Sequence, residues 1–94
     1  MLDPGIGFGK TPEQSLTAIA RLGELKSFGL PLLLGASRKR FIDKVSPAPP
    51  DRRIGGSIAA HLLGIERGAA IVRLHDVAET VQALRVAAAI GSAR

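Results

Sequence analysis

Apolar residues are arranged in two ways along the 94-residue chain: short unbroken runs, and longer stretches with helical spacing. The runs are Pro31-Leu32-Leu33-Leu34 and Ala69 to Leu74. Continuous runs of this length mark strands covered on both faces, as in parallel sheets. Leu16, Ile19, Ala20 and Gly23 form the buried stripe of a first predicted helix. Thr11 is a natural N-cap for it, Pro12 suits its first position, Gln14 completes a capping box, and Gly29 sits where a C-cap glycine would. Ile54, Ile58, Leu62 and Ile65 recur at helical spacing, with Asp51 as the cap and Gly68 as the stop. Gly55, Gly56 and Ala59 would let that helix pack closely on a sheet. Val77, Val81, Leu84 and Ala88 point inward on a last helix, opened by the pair Asp76 and Glu79 and ended by Gly91. A short helix is predicted around Lys39 to Lys44. Ser46-Pro47-Ala48-Pro49-Pro50 reads as a stiff surface loop, because three prolines remove donors and fix the backbone.

The order is loop, helix, strand, helix, strand, helix. Such alternation implies an α/β fold with a parallel sheet and right-handed crossovers. Whole strands number two, with the stub of a third at Leu2. So few parallel strands cannot cover both their edges. The pattern fits the final segment of a larger α/β barrel, whose usual length is about 250 residues. The chain also opens directly inside a motif, Met1-Leu2-Asp3-Pro4-Gly5, which is unusual for a domain start.

Composition narrows the chemistry. Hydrophobic residues make up 46% of the chain, with three Phe, no Trp and no Tyr, so the core is aliphatic. The scarcity of aromatics argues against stacking on single-stranded bases. The absence of cysteine excludes disulfides and thiolate metal sites and fits a reducing cytosol. No stretch approaches the roughly 18 apolar residues of a membrane span, and no basic-then-apolar leader is present. Net charge is +5 and the pI is about 10.8. Six cations fall between Arg38 and Arg53 (Arg38, Lys39, Arg40, Lys44, Arg52, Arg53) against Asp43 and Asp51. That local excess favours an anionic ligand or a solvated loop.

Polar groups leave the ends of all three apolar segments, which is how α/β enzymes build active sites. The first group is the loop at residues 3 to 10, with Gly5, Gly7 and Gly9 at every second position. Gly9-Lys10-Thr11 resembles the tail of a nucleotide-binding P-loop but fails on spacing, because Pro4 stands where that motif needs glycine. A tight turn explains the glycines but not Asp3, whose carboxylate could accept two hydrogen bonds from an amide-like edge. The second group is Ser37-Arg38-Lys39. Adjacent residues diverge, so not all three can face one ligand, and a solvated charge run is the competing reading. The third is Arg73 and His75, two apart and so on one side of extended chain. They could clamp a phosphate, with Leu74 turned away into packing. Alternatively Arg73 pairs with a carboxylate and His75 helps Asp76 cap the helix. His61 shares a helical face with isoleucines and reads as a packing residue. Arg21, Lys26, Arg67, Arg85 and Arg94 read as solvated. No cluster has metal-ligand spacing, and no nucleophilic triad is visible.

Four stretches carry a family resemblance: Leu2-Asp3-Pro4-Gly5-Ile6-Gly7-Phe8-Gly9-Lys10-Thr11, Gly35-Ala36-Ser37-Arg38-Lys39-Arg40-Phe41-Ile42, Arg52-Arg53-Ile54-Gly55-Gly56-Ser57-Ile58-Ala59-Ala60, and Val72-Arg73-Leu74-His75-Asp76-Val77. In order and spacing they resemble dihydropteroate synthase, along nearly the whole chain. The resemblance implies that residues 1–94 are the C-terminal segment of a single pterin-binding (β/α)8 TIM barrel. That segment runs from the end of strand 6 through helix 8, and the barrel is incomplete. It implies a cytoplasmic transferase of folate biosynthesis. Such an enzyme joins 6-hydroxymethyl-7,8-dihydropterin pyrophosphate to 4-aminobenzoate, giving 7,8-dihydropteroate and pyrophosphate, with sulfonamides as competitors. By resemblance Asp3 accepts from the pterin ring and Phe8 flanks the aminobenzoate. Ser37, behind Gly35, helps hold its carboxylate. Lys39 contacts the pterin near the reacting centre, and Arg73 and His75 grip the pyrophosphate. Magnesium would be bound through that pyrophosphate, with its protein ligand in the N-terminal strands. The family commonly dimerises through C-terminal helices, which makes Val77 to Ile90 a candidate interface. The expectation for residues 1–94 alone is an inactive chain. The alternative is a non-catalytic module that binds an anion or pterin, or self-associates through open strand edges.

Overall fold

A computed structural model of the chain describes residues 1–93. Its elements are α1 (Pro12–Ala20), a 3-10 segment (Leu22–Phe28), β1 (Leu32–Leu34), α2 (Arg40–Val45), a 3-10 turn (Pro50–Arg52), α3 (Ile54–Glu66), β2 (Ala69–Val72) and α4 (Val77–Ser92). β1 and β2 pair in parallel, Leu33 opposite Ile71 and Leu34 opposite Val72, with an irregularity between Leu32 and Leu33. The ladder continues one step past β2, where the Arg73 N–H donates to Leu34 O at 2.9 Å. Leu2 forms a parallel bridge to Leu32 on the other edge of β1. The chain is thus an α/β unit, as its alternating pattern predicts, and β1 lies in the middle.

The first helix forms for the predicted reason. Thr11 Oγ1 accepts from the Gln14 N–H, and the Gln14 side chain accepts from the Thr11 N–H. The helix is shorter than expected, giving way at Arg21 to the 3-10 segment that Gly29 closes in the left-handed region. That change rotates the inward face. Ser15, Ile19 and Leu22 are buried, whereas Leu16, Ala20 and Gly23 are exposed. The proline-rich stretch is irregular up to Pro49, but Pro50 starts a 3-10 turn, a position that suits its fixed φ.

Helix α3 departs most from expectation. Asp51 lies in the 3-10 turn and does not cap it; Arg53 is the N-cap residue, without a side-chain bond. Ile54, Ile58 and Leu62 are only half-buried, and Ile65 is exposed. The sheet-facing stripe is Ser57, Ala60, His61 and Gly64, the same helical spacing rotated by one residue. Small residues there let the helix lie close to the sheet. A Cβ on Gly64 would run into Leu34 Cδ2, and one on Gly56 into Ile42, whereas Gly55 faces open space.

β2 is not the fully covered strand expected: the adjacent residues Ala70 and Ile71, which face opposite sides, are both exposed. Helix α4 is similarly half-committed. Thr80 is its one buried residue, Val77, Val81 and Ala88 are exposed, Leu84 is half-buried, and Gly91 lies within the helix instead of stopping it. Asp76 makes no cap bond at its start. The core gathers Ile6, Ile19, Leu22, Leu32, Leu34, Ala36, Phe41, Ile42, Ala60 and Ala69 around the central strand. Arg67 is not simply solvated: its guanidinium donates to Ala20 O and Leu63 O, tying α1 to α3. Arg94 lies outside the described residues.

Candidate active site

The loop after Leu2 is built by its glycines. Gly5, Gly7 and Gly9 have φ of 70°, 85° and 62°, values a side chain resists. The Asp3 carboxylate accepts from the Gly5 N–H at 2.8 Å, which turns the chain. Ile6 plugs into the core with no exposed surface. Buried Ser15 accepts from the Gly7 N–H at 3.3 Å and fastens the loop to α1. Phe8 is left exposed at the tip.

The turn after β1 is held from several directions. Ala36 N–H donates to His61 Nε2 at 3.2 Å, and Arg38 N–H donates to Ser57 Oγ at 2.7 Å. The Ser57 hydroxyl in turn donates to Arg53 O at 2.8 Å. Arg38 adopts φ 57°, a strained value for a side-chain-bearing residue. Its carbonyl accepts from Arg53 Nη1 at 3.0 Å. Its guanidinium reaches both Asp76 oxygens, at 2.9 and 3.3 Å. These bonds over-determine the strained residue. They also explain why Asp76 does not cap α4: its carboxylate is taken by Arg38. That hydrogen bond is the main reason the carboxyl lies below the usual carboxylate range. Arg38 is therefore a structural pair and not a free cation.

Lys39 turns the other way. Its Nζ donates to Ile6 O at 2.6 Å and lies 5.1 Å from the Phe8 ring centroid, a cation–π distance. Burial lowers its pKa, Arg73 adds to the lowering, and Asp3 opposes it. Lys39 lines two cavities. One, of about 150 Å³, is lined by Gly35, Ser37, Lys39, Arg73, Leu74 and His75. The other, of about 360 Å³, includes Phe8, the glycine loop and the start of α2. Arg73 and His75 line one cavity, as their spacing predicts, and half-buried Leu74 between them borders it as well. Asp3 is outside that lining; its second oxygen lies 3.9 Å from Arg73. Ser37 is buried and engaged with His75: Ser37 Oγ lies 2.8 Å from His75 Nδ1 and accepts from the His75 N–H at 3.1 Å. The hydroxyl expected to meet a carboxylate is thus taken up within the protein.

His61 is the residue that patterning undervalued. It is fully buried and is the acceptor for a site-turn amide, so its proton sits on Nδ1, which has no hydrogen-bond partner among the described residues. Burial lowers its pKa, and the Lys39 charge reinforces this. The unfolded ring, near the ordinary value of about 6.5, therefore takes up a proton at a higher pH than the folded one. Stability is complete above the unfolded value and is lost as pH falls through the folded one. Urea unfolding from pH 8 to pH 5 is expected to show this loss, and His61→Gln, which keeps an acceptor without a titrating ring, to reduce it. His61→Leu should cost about 1–3 kcal/mol at any pH by orphaning the Ala36 amide. A His61→Gln chain with an undiminished pH dependence would contradict this account.

Among the described residues no group of three His, Asp or Glu side chains could hold a metal. Asp3, the carboxylate at the site, is committed to Gly5 and flanked by Arg73 and Lys39. These residues do not fit a resident magnesium ion. The described helices include none long and apolar enough to cross a membrane.

A family model described as pterin binding enzyme matches residues 1–75. Dihydropteroate synthase of Escherichia coli K12 is 46% identical over 94 residues, covering all of this chain and 33% of that protein. That of Synechocystis is 50% identical over 91 residues, covering 96% of this chain and 32% of that protein. A solved structure of the Xanthomonas albilineans dihydropteroate synthase in complex with 7,8-dihydropteroate superposes with a TM-score of 0.92 at 45% identity, covering 98% of this chain and 36% of that one. A structure of the same enzyme with 4-aminobenzoic acid gives the same score and identity, with 98% and 34% covered. The chain spans about a third of the length of the curated relatives it matches.

Proposed function

Because the chain belongs to the pterin-binding enzyme family, with dihydropteroate synthases as its relatives, we propose that it serves the same transfer in folate biosynthesis. In that reaction the aniline nitrogen of 4-aminobenzoate bonds to the methylene carbon of 6-hydroxymethyl-7,8-dihydropterin pyrophosphate. The carbon–oxygen bond to pyrophosphate breaks, and the aniline proton is released.

The observation that carries this reading is that Lys39 lines both cavities. On one side Arg73 and His75 offer a planar fork and a ring N–H to the leaving pyrophosphate, where charge develops as its bond breaks. On the other, Phe8 and the glycine loop flank a space for the aminobenzoate, where sulfonamides would compete. Lys39 then meets the pterin at the reacting centre. Asp3, already 3.9 Å from Arg73, accepts from the pterin edge. Gly35 packs against Arg73, whose Nη2 would lie at ordinary contact distance, 3.4 Å, from a Cβ there. We assign no metal step to these residues. Magnesium would arrive on the substrate's phosphate oxygens, and any protein ligand for it lies outside them.

In the same reading residues 1–94 form the last part of one barrel domain, from the end of strand 6 through helix 8. The remaining pterin contacts come from outside these residues, so the chain alone does not turn over. Sustained dihydropteroate formation by residues 1–94 would refute that. Exposed Val77, Val81, Val86 and Ile90 on α4 suit the proposed homodimer. The setting is the cytoplasm.

The test is a titration of the chain with the pterin pyrophosphate, inorganic pyrophosphate and a polyphosphate at two salt concentrations. Saturable binding that prefers the pterin compound supports the proposal. Equal, strongly salt-dependent binding of any polyanion would favour a nonspecific anion-binding module.

A further inference from the structure

The hydroxyl of Ser37 is placed where it controls which proton His75 shows to the cavity. Ser37 is 6% exposed. Among the described residues its Oγ has two partners, both on His75: the backbone N–H at 3.1 Å and ring Nδ1 at 2.8 Å. A hydroxyl has one proton to give and two lone pairs. The backbone N–H takes one lone pair. If Nδ1 also carried a proton, it would take the second, and the hydroxyl proton would be buried without an acceptor. That arrangement carries the cost of an unsatisfied buried donor. With Nδ1 bare, every group in the triangle is satisfied.

We propose that Ser37 is a positioning residue that fixes His75 as the Nε2–H tautomer, so that the ring presents a hydrogen-bond donor beside Arg73. This rests on the anion-binding reading of the Arg73–His75 cavity. An anion needs donors, and an imidazole free to turn or to change tautomer would show it a lone pair part of the time. The serine is itself held in place. Ala36 on one side donates to buried His61, and Arg38 on the other donates to Ser57. Both anchors stand on the sheet-facing stripe of α3, so the helix behind the site sets the ring in front of it. The two histidines carry their protons on opposite nitrogens: His61 on Nδ1, because its Nε2 accepts from Ala36, and His75 on Nε2.

The chain has only two histidines, which makes the test direct. Long-range proton–nitrogen spectra of the 15N-labelled chain are recorded without ligand at a pH about 2–3 units above the ordinary imidazole value of about 6.5. His61→Gln assigns the signals. His75 is expected to show a bare Nδ1 and a protonated Nε2, and His61 the reverse. In Ser37→Ala the His75 Nδ1 signal moves toward that of a free acceptor and a second tautomer appears. Affinity for inorganic pyrophosphate falls about fivefold, the size of one side-chain ordering term, and Ser37→Thr, which keeps a hydroxyl, restores it. A proton on His75 Nδ1 in the intact chain, or unchanged affinity in Ser37→Ala, would overturn the proposal. Failure of the intact chain to bind pyrophosphate would overturn the anion-site reading instead. The two failures are separable because the tautomer spectrum needs no ligand.

Discussion

Gly64→Val is expected to cost about 2–3 kcal/mol of folding stability, the upper part of the range for overpacking a filled core. Any Cβ at this position meets Leu34 Cδ2. Leu34 has no exposed surface and lies on the central strand, so its side chain has nowhere to go. Either α3 must lift from the sheet or Leu34 must leave its rotamer. Lifting α3 would draw His61 away from Ala36 and Ser57 away from Arg38, loosening the site turn as well. Native domains have only about 5–15 kcal/mol in reserve, so the loss should lower a urea midpoint by about 1–2 M. Gly55 is the control on the same helix. It faces open space, and Gly55→Ala should be neutral or stabilising by up to about 1 kcal/mol. Equal midpoints for the Gly64→Val and native chains would mean that the close approach of α3 to β1 is not real.

Arg73→Ala is expected to weaken pyrophosphate binding about 10- to 100-fold, because it removes charge-assisted hydrogen bonds worth about 1.5–3 kcal/mol. Folding should hardly change. Arg73 is 67% exposed and lies 3.9 Å from an Asp3 that is itself 41% exposed. An exposed ion pair of this kind contributes at most about 1 kcal/mol. Arg73→Lys should recover only part of the affinity, since an ammonium cannot reproduce the planar fork. Calorimetric titration paired with thermal unfolding separates the two effects. A variant that binds as tightly as the native chain would remove Arg73 from the clamp.

The parts of this molecule legible in its sequence are the polar residues at the end of each apolar run. Asp3, Lys39, Arg73 and His75 each follow a recognisable strand or stub, and the parallel pairing of the strands followed from the same alternation. What stayed hidden was set by packing. The isoleucines of α3 drew attention to a face that turned out to border α4, whereas the sheet-facing stripe is small or polar and leaves no hydrophobic signal. Ser57, His61 and Gly64 were missed as site supports for that reason. Asp76 looked like a helix cap because Glu79 follows it at capping-box spacing; its partner is Arg38, 38 residues earlier, and no local pattern reports that distance. Ser37 was assigned to a ligand by resemblance, while the fold gives its hydroxyl to His75.

Amide spectra of the 15N-labelled chain, followed residue by residue during titration with 6-hydroxymethyl-7,8-dihydropterin pyrophosphate, test the central claim most directly. Saturable shifts concentrated at Asp3, Gly35, Ser37, Lys39, Arg73 and His75 are expected. Shifts that never saturate, or that spread over the exposed cations Arg40, Lys44 and Arg52 while Arg73 and His75 stay still, would contradict it.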